Sequence, residues 1–196
     1  MIEPALALVE FSSIAAGIEA ADAMAKRTLL DVLMAGTVHN GKYLVLIGGQ
    51  LAHVEESLAS GRETGGSAIL DFVFLPQVHP EVVEAIGGAR APEEADALGV
   101  IETTTVAAAI RAADAGVKGA RVRLVEVRLA DGLGGKGVVL FSGLVSHVQT
   151  AVELGREALE RPDLLVRDVI IPNVHPGMWQ NVGETTWFGT RVRDDA

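Results

Sequence analysis

Short apolar runs alternate with longer amphipathic stretches along this chain, and the whole alternation occurs twice. Residues 6–11 are apolar apart from Glu10 and lead into Ser12-Ser13, which predicts a strand feeding a helix start. A serine hydroxyl there can accept from the unpaired first amides of the helix. Ile14, Ile18, Ala21 and Ala25 recur at helical spacing, and Lys26 falls in the last turn, where positive charge suits the helix dipole. Residues 30–38 and 43–47 read as strands joined through His39-Asn40-Gly41. Asn-Gly is the strongest short hairpin signal, because both residues tolerate positive φ. Gly48-Gly49 leads to a second helix over about 51–60, which Gly61 is expected to stop. Residues 69–75 supply a fourth strand ended by Pro76, and 81–86 a short tail helix.

The second half repeats this order. Over 5–26 against 97–118, 11 of the 22 positions are identical, among them Glu10/Glu102, Asp22/Asp114 and Lys26/Lys118. Thr103–Thr105 stands where the serine cap stood. After a two-residue insertion, Gly41-Lys42 returns as Gly135-Lys136 and His53-Val54 as His147-Val148. Each copy closes on a related turn, Pro76-Gln77-Val78-His79-Pro80 and Pro172-Asn173-Val174-His175-Pro176. Two copies are too few for a solenoid, so the pattern predicts a tandem duplication of one domain. The order β-α-β-β-α-β within each copy is the ferredoxin-like split βαβ, an α+β fold. The domains are expected at 1–88 and 95–184, joined by a linker rich in Gly, Ala and acidic residues, with 185–196 a flexible tail.

Composition narrows the function. Roughly 90 residues per domain is small, so each gains by packing on the other. The hydrophobic fraction is 49%, much of it Ala and Val, which favours close helix packing and large subunit interfaces. A net charge of −10 opposes binding to nucleic acid. The chain has no Cys, which removes disulfides, thiolate metal sites and cysteine catalysis. No apolar run reaches the roughly 18–20 residues of a membrane span, and no basic-then-apolar leader is present. A soluble, cytoplasmic protein is expected.

The ordered set of motifs resembles a known family. Strand–Glu–(Ser/Thr)–helix, Ala-Ala-Asp-Ala before a Lys, Gly-Lys before a strand, and Pro-x-x-His at the end are similar to the bacterial microcompartment shell domain. The likeness covers about 5–86 and 97–182. Two unpermuted copies resemble the tandem-domain trimers of that family, especially the type found in the propanediol-utilisation shell. The resemblance implies a homotrimer with pseudo-sixfold symmetry, tiling edge to edge with other microcompartment shell proteins around encapsulated enzymes in the bacterial cytoplasm. It places a central pore, which passes metabolites or in some relatives holds an iron–sulfur cluster, at Val38, His39, Asn40 and Gly41 of one copy. The sequence holds no catalytic constellation, so neither catalysis nor a cofactor is expected. In the other copy the pore falls at Asp131, Gly132, Leu133, Gly134 and Gly135. Lys26, Lys118, His79 and His175 match the family's lateral edge contacts, although Gln77 and Asn173 replace the usual Arg between the prolines.

Several candidates carry alternatives. His39 stands where a relative has a cluster-ligating cysteine; with no Cys a thiolate-held cluster cannot form, but three imidazoles on an axis could hold a divalent ion. The plainer reading is a polar residue facing a wet pore, with charge that follows pH. Asp131 either projects a carboxylate toward the axis or caps its own turn. Gly132 to Gly137 matches G-x-G-x-x-G, yet Val138–Phe141 reads as a strand, whereas a phosphate cradle needs a helix start. His53 and His147 are expected on solvated faces, and Glu10 and Glu102 to be structural. Two alternatives stay open: a metal-holding or redox-associated shell trimer using His39, and a trimeric ferredoxin-like sensor of a small ligand.

Overall fold

A computed structural model of the chain describes residues 4–88 and 95–184. The first copy runs β1 (Ala5–Phe11), α1 (Ile14–Arg27), β2 (Val32–Val38), β3 (Lys42–Gly49), α2 (Leu51–Gly65), β4 (Ile69–Leu75) and α3 (Pro80–Ile86). The second runs β5 (Ala97–Thr103), α4 (Val106–Gly119), β6 (Arg123–Leu129), β7 (Gly137–Gly143), α5 (Val145–Glu157), β8 (Leu165–Pro172) and α6 (Pro176–Glu184). Each copy forms one antiparallel sheet, ordered β2-β3-β1-β4 and β6-β7-β5-β8. This is the predicted order of elements. Most of the linker, 89–94, and the expected tail, 185–196, lie outside the described residues.

Period-two alternation sorts each strand between two faces. In the first sheet Ala5, Ala7, Val9 and Phe11, with Val45 and Ile47, pack under α1 and α2 against Ala20, Met24, Val54 and Leu58. The opposite face, with Leu6, Leu8, Leu44 and Leu46, belongs to a second core. That core includes Val82 and Ala85 of α3 and also Val106, Ala109, Ile110 and Ala113 of α4. One hydrophobic core therefore crosses from the first domain into the second.

Local chemistry explains the element ends. Ser13 and Thr105 cap α1 and α4, accepting from the amides of Ala16 and Ala108, each at 3.3 Å. Gly61 does not stop its helix, contrary to expectation: α2 continues to Gly65. The glycine is needed for close approach, since a Cβ there would lie 2.4 Å from Met24 Sδ on α1. The stop comes at Gly66, at φ 47°, whose N–H donates to the Arg62 carbonyl. The first edge strand also starts two residues later than predicted, at Val32 rather than residue 30. The expected helical stripe needs correction as well. The buried residues of α1 are Gly17, Ala20, Ala21 and Met24, while Ile14 and Ile18 are exposed.

Candidate functional site

The two hairpin loops are built differently and meet. Asn40 (φ 72°) and Gly41 (φ 70°) make the tight mirror-image turn that Asn-Gly predicts. The second loop, 130–136 against 39–41, holds four more residues, with Ala130, Gly132, Gly134 and Gly135 all at positive φ. Its amides close on itself: Leu133 N donates to the Ala130 carbonyl at 2.9 Å, and Ala130 N to that of Lys136 at 2.9 Å. His39, Asn40, Gly41, Asp131, Gly132 and Gly134 are exposed, Val38 and Leu133 are half-buried, and Gly135 is buried.

His39 and Asp131, two independent candidates in the sequence, are brought together. The His39 backbone N–H donates to Asp131 Oδ1 at 3.2 Å, and His39 Nδ1 lies 3.2 Å from the same oxygen. Gly132 N–H donates to His39 Nδ1 at 3.0 Å, which requires a ring with its proton on Nε2. Lys42 ties the loops from below, donating to the Gly135 carbonyl at 3.0 Å and to Glu10 Oε1 at 2.6 Å.

Glu10 reaches further than its sequence position suggests. It is fully buried, and its second oxygen accepts from the Val106 amide at 2.8 Å, at the first turn of α4 in the other domain. Burial pushes its carboxyl above the ordinary value of 4.5, with Asp71 adding to the rise. The Lys42 ammonium and the Val106 amide oppose that shift. Around it runs a polar seam between the domains. Thr105 Oγ1 donates to Asp71 Oδ2 at 2.5 Å, Arg111 Nη2 to the Phe72 carbonyl at 2.8 Å, and Leu124 N to Glu81 Oε2 at 2.9 Å. The equivalent carboxylate, Glu102, pairs with Lys136 at 2.5 Å and stays 31% exposed.

Lys118 and His79 fall on this seam. Lys118 Nζ donates to the Gln77 carbonyl and, at 2.6 Å, to Asp114. Asp114 in turn accepts from the His79 amide at 2.9 Å, and His79 Nδ1 caps α3 at Glu81 N. Their counterparts stand clear: Lys26 touches Asp22 at 2.5 Å and is 73% exposed, against 40% for Lys118. His175 Nδ1 accepts from Gly177 N at 3.1 Å. His53 and His147 are half-buried rather than solvated. The glycine-rich run leads into β7, so no helix start faces it. Among the described residues no three His, Cys, Asp or Glu side chains group as metal ligands, and no helix is long and apolar enough to cross a membrane.

The family model for the BMC domain matches twice, over residues 5–78 and 97–174. The chain belongs to the BMC domain family. The bacterial microcompartment shell protein PduT of Citrobacter freundii is 38% identical over 180 residues, covering 92% of this chain and 98% of its own. A microcompartments protein of Desulfitobacterium hafniense DCB, solved by crystallography, superimposes with a TM-score of 0.80 at 42% identity. It covers 91% of this chain and 99% of that one. A fused permuted hexameric shell protein, MSM0275, shares the fold alone, at a TM-score of 0.56 and 19% identity over 79% and 83% of the two chains. The tandem BMC reading of the sequence is thereby established. Sequence reasoning missed the seam between the two BMC domains, although the repetition of Glu-and-Lys at 10/42 and 102/136 was a visible signal.

Proposed function

We propose that this protein is a structural tile of a bacterial microcompartment shell: three copies close a pseudo-sixfold ring around a pore lined by 38–41 and 131–135. One observation carries the reading. Two hairpin loops of unequal length touch at one end of an in-chain seam, and the surfaces that make that seam recur, uncovered, on the chain's outer sides. Val106 and Ile110 of α4 are fully buried by the first domain, while Ile14 and Ile18, their equivalents, are 39% and 53% exposed. Val32, Leu33 and Met34 on the edge strand β2, and Ile171 on β8, are exposed as well. A contact that joins unlike surfaces head to tail must either close a ring or run on without end, and closure leaves no surface uncovered.

The proposed ring alternates a His39 loop with an Asp131 loop around its axis, which a ring of six identical domains could not do. Its partners are further copies of itself, other shell proteins at its edges, and the enzymes it encloses. We assign Lys26, Lys118, His79 and His175 to the lateral rim, with Lys118 also bracing the seam. The reading gives the protein no catalytic step.

Electron microscopy of the concentrated protein, with its mass in solution, tests this. Flat hexagonally packed sheets built from three-copy particles are expected. Particles of any other copy number, or trimers that never tile, would sink the reading. Replacing Lys26 and Lys118 together by Ala is expected to abolish the sheets and leave the three-copy mass unchanged.

A further inference from the structure

We propose that reversed charges distinguish the two kinds of seam in the ring, so that the open strand face of the second domain, through Arg167, accepts α1 of another copy, through Glu19. The inference rests on the ring reading above and names how its partner surfaces are told apart.

The seam inside the chain is the template. On its strand side, Asp71 of β4 lies opposite Glu10 in the β1–β4 register and accepts from the α4 cap, Thr105. On its helix side, Arg111 crosses to the carbonyl of Phe72, the next residue along β4. Arg111 also meets Glu160 of its own domain at 3.1 Å, so one guanidinium joins α4 to both domains. Its Nη1 is buried without a partner in the single chain. This seam has an acid on the strand and a base on the helix.

The same positions in the uncovered surfaces carry the opposite signs. In the β5–β8 register the residue opposite Glu102 is Arg167, where β4 has Asp71. On α1 the residue 92 positions before Arg111 is Glu19. Both are exposed on the single chain. Other parts of the seam recur, with Glu10–Lys42 matched by Glu102–Lys136 and the Thr105 cap by Ser13, while Glu81, which accepts from Leu124, has Gly177 as its counterpart. Glu19 of one copy laid on Arg167 of the next is complementary. Like charges set together at an interface penalise the wrong partner more than an opposite pair favours the right one. The reversed pair thus matches α1 to the open strand face of the second domain.

Charge-reversal variants test this by sedimentation over a concentration series. Glu19→Arg alone places two cations at the copy-to-copy seam, and Arg167→Asp alone two anions. Each is expected to raise the concentration at which the three-copy particle falls apart by about tenfold or more. The double variant, Glu19→Arg with Arg167→Asp, restores a complementary pair and is expected to recover most of that loss. Both positions are exposed on the single chain, so its thermal unfolding stays unchanged in all three. Singles that assemble like the unaltered protein, or a double variant as weak as the worse single, would overturn the inference while leaving the ring intact. An unaltered protein that forms no three-copy particle would instead overturn the ring reading itself.

Discussion

Helices α1 and α4 differ little in sequence and greatly in surroundings. Both have 14 residues, a hydroxyl cap, and an Asp–Lys pair four residues apart in the last turn. Yet Ile110 is fully buried and Ile18 is 53% exposed. The difference lies in what stands beside each helix. A sheet face covers α4 because the first domain of the same chain supplies it. No sheet of the same chain covers Ile14 and Ile18. An amphipathic stripe therefore encodes a contact and leaves open whether the partner is the same chain or another. In a duplicated domain the covered copy shows what the uncovered one is shaped to meet.

The largest expected effect separates these two isoleucines. Ile110→Ala removes three carbons from a packed core and is expected to destabilise the single chain by about 2–5 kcal/mol. Ile18→Ala removes the same atoms from a half-exposed site and is expected to cost the single chain under about 1 kcal/mol. In the assembled particle Ile18 comes to matter, and its loss should appear as weaker association. Urea unfolding of dilute chains, with sedimentation of concentrated ones, checks both halves. Equal unfolding costs for the two variants would break the comparison.

A second contrast is electrostatic. Glu10→Ala leaves the Lys42 ammonium and the Val106 amide without their buried acceptor, a loss of about 3 kcal/mol or more. Glu102→Ala breaks a pair that water already reaches, and should cost the single chain no more than about 1 kcal/mol. The pH dependence follows from the direction of the Glu10 shift. Its carboxyl binds a proton more tightly folded than unfolded, so its contribution to stability falls as pH rises from 4.5 through the higher folded value. Below 4.5 that contribution is fully present and no longer changes with pH, because both states are protonated. Glu10→Gln removes this titration, so the stability difference between the two proteins should vary with pH only across that window. A difference that stays flat from acid to neutral pH would show that Glu10 keeps an ordinary pKa.

How much of this was legible in the sequence follows from what each signal measures. The order of elements, the hairpin at Asn40-Gly41 and the caps at Ser13 and Thr105 follow local signals, and the pattern predicts them. Gly61 misled because a glycine reads the same whether it ends a helix or lets another helix approach; only Met24, distant in sequence, decides between them. The pairing of His39 with Asp131 and of Glu10 with Val106 spans 92 and 96 residues. Periodicity carries no information at that range. The duplication does carry some, since a Glu and a Lys that recur at matched positions in both copies mark a repeated contact before any partner is known.

The smallest expected effect concerns the two loops. His39→Ala removes an exposed imidazole whose one clear service to the fold is to accept the Gly132 amide. Water can replace it there, so global stability should change by less than about 0.5 kcal/mol. Amide exchange reads the local consequence. Gly132 N–H, which points out of its loop at His39, is expected to exchange faster in the variant. Leu133 N–H donates within the loop to the Ala130 carbonyl and should keep its rate. Faster exchange at both positions would mean that the second loop depends on the first for its shape. No change at either would mean that the loops only lie side by side, and that each is shaped by its own domain.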